Sequence, residues 1–205
     1  MIPMLPSTYF GPITYFGKIV PNGRVAINCI ERFQKQTIRN RAGILGANGE
    51  IRLTVPLLKW STKVSTNQLR IDNTSNWKHV HWMSIQSAYR NSAFFEHYEG
   101  QIKSFFNEDH DLLINLNLAS INLTARLLKV DFKIDAISES HDLSSGSFND
   151  MTSDFVKKRR IEPIPEYVQV FSDRFEFAPD LSILDLIFNL GPRASIYLEN
   201  LHKNG

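Results

Sequence analysis

Residues Tyr9 to Ile19 read Y-F-G-P-I-T-Y-F-G-K-I, a stretch that gathers four aromatic rings, two glycines and a proline near the start of the chain. A bend at Gly11-Pro12 feeds a short helix, with Pro12 near its first position, where the fixed φ suits the helix and the missing N–H leaves no bond unmade. Tyr9 and Phe10 precede the bend, and Tyr15 and Phe16 follow it. Rings on both sides of a tight turn either fill a core or wall an apolar pocket. In the second case Tyr9 and Tyr15 bring hydroxyls to it, because a tyrosine has a packing body and a polar tip.

With 205 residues and 42% hydrophobic content, the chain is long enough to bury a full core in one domain. A formal net charge of +2 on a mixed-sign sequence leaves no extended basic footprint for a phosphate backbone, so nucleic acid is not the expected partner. Cys29 is the single cysteine, which excludes an intramolecular disulfide and a cysteine zinc cluster and fits a reducing compartment. The opening M-I-P-M-L-P-S-T lacks a basic segment followed by an apolar run, and no stretch reaches the length of a membrane span. A cytoplasmic protein with no membrane span is expected.

Outward from the opening stretch, Arg24 to Asn28 (R-V-A-I-N) has the β-branched character of a central strand, after a turn at Pro21-Asn22-Gly23. Glu31 to Arg41 breaks the apolar pattern and reads as a loop. Ala42 to Leu45 and Ile51 to Val55 flank Gly46-Ala47-Asn48-Gly49, where Asn-Gly supplies the positive φ of a hairpin turn, and Pro56 ends the second strand. Gln68 to Ile71 adds a short strand. Asn73 to Asn76 caps a helix from Trp77 that places His81, Ile85, Ala88 and Tyr89 on one face. A second helix runs from Ala93 to Phe106, and a third opens on Glu108 and Asp109 and continues to about Lys129. Val130 to Ile137 alternates as a strand, and the serine-rich segment 138–160 reads as a flexible, solvated loop ending in the basic run Lys157 to Arg160. Pro163 and Pro165 keep the chain extended into Tyr167 to Phe171. Leu181 to Leu190 is helical, with Ser182 and Asp185 at capping-box spacing and a stop at Gly191-Pro192, and Ala194 to Leu201 forms the last helical turns. The fold class is α/β, or mixed α+β: a central mixed sheet with a β-hairpin, packed by a cluster of helices, in a single domain.

Phosphate-binding glycine loops, a dinucleotide fingerprint and a G-x-S-x-G nucleophile elbow are all missing, so no cofactor is named by motif. Cys29 lies in an apolar context that marks an inert thiol. His79 and His81 stand two apart on a helix and cannot face one metal, so no metal site is expected. What remains is polar. Lys35, Gln36, Arg39, Asn40 and Arg41 bring three cations and two amides into one connection, suited to a carboxylate or phosphate or else simply solvated. His81 with Tyr89 two turns later forms a candidate acid/base pair, against a core histidine bonded to backbone. Asp185 and Asn189 present polar groups from a mostly apolar helix, as ligand contacts or as a cap and a solvent contact. A pocket shared by Tyr9, Asn40, Arg41, His81 and Tyr89 is the test of an enzyme, and a filled core there favours a binding or scaffold protein.

Five blocks carry a family resemblance: Y-F-G-P-I-T-Y-F at Tyr9 to Phe16, K-Q-T-I-R-N-R at Lys35 to Arg41, A-N-G-E-I-R-L-T-V-P-L at Ala47 to Leu57, H-W-M-S-I-Q-S-A-Y-R-N-S at His81 to Ser92, and F-A-P-D-L-S-I-L-D-L-I-F-N-L-G-P at Phe177 to Pro192. In this order they resemble the WbqC-like family, bacterial proteins encoded with surface-polysaccharide and amino-sugar genes. The resemblance implies action on an anionic small molecule or amino-sugar intermediate of surface-polysaccharide (O-antigen-type) biosynthesis, with acyl or aminoacyl transfer as the reaction, or a non-catalytic binding or scaffold role in the same pathway. Lying within these blocks are the candidates read from the residues themselves, His81 and Tyr89 for catalysis and Tyr9, Tyr15, Lys35, Arg39, Asn40, Arg41, Asp185 and Asn189 for substrate contact. Where many members carry an acidic pair, this chain has Cys29 and Ile30, and its second half is shorter, as in a shortened subgroup.

Overall fold

Two prolines among five residues conceal the strand on which the sheet is built. In the computed structural model, which describes residues 1–59, 61, 64–144, 147–155 and 163–203, Ile2–Pro6 forms β1. Its neighbours are β2 (Arg24–Asn28) and β6 (Phe148–Asp150), and β5 (Lys133–Ile137) completes a four-stranded sheet of order β5-β2-β1-β6, all parallel. The Ile2 N–H and the Met4 carbonyl bond toward the β6 side, so Pro3 faces β2 and Pro6 faces β6. Pro6 lies past the end of β6, so its missing N–H leaves no ladder bond unmade, while Pro3 stands at the start of β2, where the ladder with β1 begins only at Met4.

The chain leaves β1 through a loop in which Phe10 has φ 42°, and Pro12 caps helix α1 (Ile13–Ile19), whose side chains are buried except for Lys18. This β1-α1-β2 unit agrees with the expected bend and helix. Leu5, Val25 and Ile27 face the main core with the α1 rings, while Met4, Ala26 and Ile137 form a smaller cluster on the other side of the sheet, as period-two alternation requires.

Between β2 and β5 the chain inserts the hairpin β3 (Arg41–Gly46) and β4 (Gly49–Thr54), then helices α2 (Trp77–Tyr89), α3 (Phe95–Asn107) and α4 (Leu113–Leu128). The mixed α/β class holds, with the antiparallel strand pair in this separate two-stranded sheet and other antiparallel pairing among the described residues limited to isolated bridges. After β6 come α5 (Ile183–Leu190) and α6 (Arg193–Lys203), which pack against α1. Gly191 ends α5 at φ 54°, and an added Cβ there would lie 2.5 Å from a carbon of the Phe94 ring, so both conformation and space demand glycine.

Several local expectations give way to tertiary structure. Glu108 and Asp109 lie ahead of α4 rather than in its first turn, and Lys78 Nζ donates to Asp109 at 2.7 Å. Gln68 to Ile71 is a 3-10 turn at Thr66–Gln68 followed by isolated bridges at Arg70 and Ile71. Within the segment read as a loop, Phe148–Asp150 supplies the edge strand β6, flanked by 3-10 turns at Ser140–Ser144 and Thr152–Phe155. The basic run Lys157 to Arg160 lies outside the described residues. Among the described residues no helix is long and apolar enough to cross a membrane.

Candidate functional site

The candidate residues fall into separate groups, beginning with His81. Tyr9, fixed by its N–H to the Ile38 carbonyl at 3.0 Å, meets His81 Nδ1 through its hydroxyl at 2.9 Å, with Trp77 edge-on to the imidazole at 5.1 Å between ring centres. Burial pushes His81 down to about 4, partly offset by a hydrogen bond to the Thr54 backbone, so the ring is neutral near pH 7. A carbonyl only accepts, so the Thr54 backbone favours an imidazole N–H turned toward it while Nδ1 accepts from Tyr9, the one hydrogen bond that the geometry gives the ring among the described residues. The ring also forms part of the wall of a cavity of about 420 Å³ between β4 and the start of α2, lined by Ile51, Leu53, Thr54, Trp77 and Val80.

Tyr89 belongs to a different group, centred on Asp185. Its hydroxyl donates to Asp185 Oδ1 at 2.9 Å, while Tyr167 Oη and Gln169 Nε2 (3.0 Å) donate to Oδ2. Burial pushes the Asp185 carboxyl up, and the bonds from Tyr167, Gln169 and Tyr89 pull it back; the facing tyrosines are raised, first by their own burial and then by the carboxylate. Asn189 Nδ2 donates to the Asp185 backbone carbonyl at 2.8 Å, one turn up α5. Asp185 therefore turns inward and does not close the expected capping box, although Ser182 does cap α5 through its hydroxyl. Tyr167 and Gln169 went unnoticed in the sequence. Their signal was the alternation of Tyr167-Val168-Gln169-Val170, inverted from the usual sense, since Val168 is 78% exposed and Gln169 buried.

Tyr15 stands apart from both groups. Its hydroxyl donates to the Pro6 carbonyl at 2.8 Å, its ring packs on Phe16 and Phe155, and burial raises its pKa.

The basic connection divides internally. Arg39 is 1% exposed and forms a two-pronged pair with Glu31, Nε to Oε1 at 2.7 Å and Nη2 to Oε2, with Nη1 donating to Thr37 Oγ1 at 3.1 Å. Burial raises Glu31, and Arg39 draws it back down. Asn40, 7% exposed, gives Nδ2 to the Val55 carbonyl at 3.2 Å, and its Oδ1 has no partner. Arg41 opens β3 opposite Thr54; its Nε is likewise buried without a partner, and among the described residues it forms no ion pair. Phe33, Lys35, Gln36, Asn40, Arg41 and Pro56 line a cleft of about 220 Å³, and Gln36 stands at φ 62°, in a region few non-glycine residues adopt. Among the described residues Tyr9 and Tyr89 are buried in the core and His81 borders a different cavity from Asn40 and Arg41, so the five are not brought to one pocket. Thr54 nevertheless links two of the groups, as the cross-strand partner of Arg41 and the bonding partner of His81. Among the described residues no group of His, Cys, Asp or Glu is placed to hold a metal ion.

The model of the WbqC-like protein family matches residues 7–163 of the 205-residue chain, a span that includes the His81 group, the Arg41 cleft and the hairpin and stops short of Asp185 and Asn189. No match is found among curated proteins or among solved structures. The chain belongs to the WbqC-like protein family.

Proposed function

We propose that this WbqC-like protein binds an anionic small molecule, of the amino-sugar type used in bacterial surface-polysaccharide biosynthesis, in the cleft between residues 33–41 and the end of β4. One observation carries the reading: a buried arginine nitrogen and a buried amide oxygen both lack partners, and the two consecutive residues that carry them line the same cleft. An unpaired buried donor or acceptor costs about 1–3 kcal/mol, so two together mark a place where an external group completes the bonding. Arg41 Nε–H offers a donor to a carboxylate or phosphate oxygen. Asn40 Oδ1 offers an acceptor to an adjacent hydroxyl or amide N–H, and exposed Lys35 adds charge at the mouth. An anionic oxygen beside a hydroxyl or N–H is the pattern of a sugar acid, a sugar phosphate or a phosphorylated N-acylated amino sugar.

Between acyl or aminoacyl transfer and non-catalytic binding, the bonding of the other candidates favours binding. His81 lines the other cavity with Nδ1 bonded to Tyr9, and Tyr89 donates its proton to Asp185, so neither presents a free acid or base to the cleft. Titration of Arg41→Ala with acetate, inorganic phosphate and N-acetylglucosamine 6-phosphate, followed by NMR shift changes, tests the reading. We expect affinity for each anion to fall at least tenfold, since a desolvated charge-assisted contact is worth about 2 kcal/mol or more. Equal affinities in variant and wild type would refute it.

A further inference from the structure

We propose that the ligand is amphipathic, with its anionic group at Arg41 and an apolar body in the larger cavity beside His81. The inference rests on the reading of the Arg41 cleft as the anion site and extends it to a substrate class.

Volume is the first reason. A cleft of about 220 Å³ lies below the roughly 300–1,000 Å³ of small-molecule sites, so it accommodates a head group and leaves the rest of a ligand outside. The neighbouring cavity, about 420 Å³, falls inside that range. The two are neighbours through the chain itself, because Thr54 and Pro56 stand in both walls. Thr54 is also held from both sides, paired across the hairpin with Arg41 and bonded at its backbone by the His81 ring.

Chemical contrast is the second reason. The smaller cleft sets Lys35, Asn40 and Arg41 among apolar neighbours; in the larger, Ile51, Leu53, Trp77 and Val80 make the surface mostly apolar, although Arg52 and Asn76 also border it. Its most reactive-looking member, His81, has Nδ1 bonded to Tyr9 and, buried as it is, offers the cavity only part of its ring. Val80 is 57% exposed and Ile51 36%, two β-branched apolar side chains left in water on opposite walls of this cavity, one from α2 and one from β4. An apolar body lying between them removes that surface from water, with a gain that grows with the area covered.

Straight-chain carboxylates from acetate to decanoate test the proposal on the full chain. In the wild type, affinity should rise about threefold to fourfold per added methylene over the first several carbons, the ratio that corresponds to about 0.8 kcal/mol per buried CH₂. Val80→Trp, a substitution at an exposed helix position that fills the cavity, should flatten this dependence, and Ile51→Trp from the facing strand should do the same. A wild type with no chain-length dependence overturns the proposal, as does a dependence that survives both substitutions. These failures differ from failure of the underlying reading, in which Arg41→Ala leaves acetate affinity unchanged.

Discussion

The Asp185 group and the Arg41 cleft each set a charged side chain beside amides, yet they are opposites in bonding. At Asp185 both carboxylate oxygens accept from Tyr89, Tyr167 and Gln169, three donors drawn from α2 and from the segment before α5. At Arg41 the guanidinium Nε and the neighbouring Asn40 Oδ1 are buried and accept or donate nothing. A closed network ties elements together and leaves a ligand no valence to fill. An open one costs stability in the free protein and returns it on binding. Residue type therefore says less about a site than which polar atoms the fold leaves unmatched.

The largest expected effect breaks the closed side. Asp185→Ala leaves the hydroxyls of Tyr89 and Tyr167 without their acceptor, and Tyr89 lies wholly in the core. With each orphaned buried donor costing about 1–3 kcal/mol, the variant should lose about 3 kcal/mol of unfolding free energy in urea. An unchanged midpoint combined with lost anion affinity would move Asp185 from the structural group to the binding group and erase the contrast.

A smaller effect concerns His81, which belongs to neither extreme, since Nδ1 is bonded to Tyr9 while its ring borders a cavity. Its folded pKa, pushed down to about 4, lies below the ordinary histidine value near 6.5. Between these values the unfolded chain binds a proton that the folded protein refuses. The stabilising contribution of the neutral ring is therefore complete above about pH 6.5 and is lost as pH falls toward 4. Unfolding free energies measured from pH 7 to pH 4 should fall by roughly 2–3 kcal/mol more in the wild type than in His81→Gln. Parallel curves for the two proteins would mean that the imidazole is open to solvent and free for acid/base work.

Legibility in the sequence followed the range of the interaction that sets each feature. The hairpin, β2, α2 and α3 are written in local periodicity and in Asn48-Gly49, where Gly49 takes φ 109°, and they fold as the pattern predicts. β1 is hidden because its prolines are excusable only once the partners' registers are known, and β6 because three residues carry no periodicity. The same limit governs the site. Lys35 to Arg41 was recognisable as a basic segment, but Arg39 is consumed by Glu31, eight positions earlier, and nothing in the local pattern separates it from Arg41. Asp185 and Ser182 had capping-box spacing, and only the placement of residues 167–169 turns the carboxylate inward. An unmatched valence is a property of everything packed around an atom, so Asn40 Oδ1 and Arg41 Nε could not be read from a list of residues.

The smallest expected change is also the sharpest test of the contrast, because it predicts almost nothing where the neighbouring position predicts collapse. Arg39 and Arg41 are two residues apart with the same side chain. Removing Arg39 would strand the Glu31 carboxylate, 8% exposed, without its counter-charge, and breaking a buried pair in this way costs about 3–5 kcal/mol. Removing Arg41 deletes a buried nitrogen that has no partner and strands nothing in return. The methylene stem of Arg41 contributes some packing against the hairpin, and the relief of the orphaned donor opposes that loss. Arg41→Ala should therefore unfold within about 0.5 kcal/mol of the wild type, the range of substitutions that break no bonded feature. Measured beside the anion titration, near-wild-type stability with reduced affinity assigns Arg41 to a ligand. A loss comparable with that of Arg39→Ala would show instead that the guanidinium supports the fold, and the open half of the comparison would close.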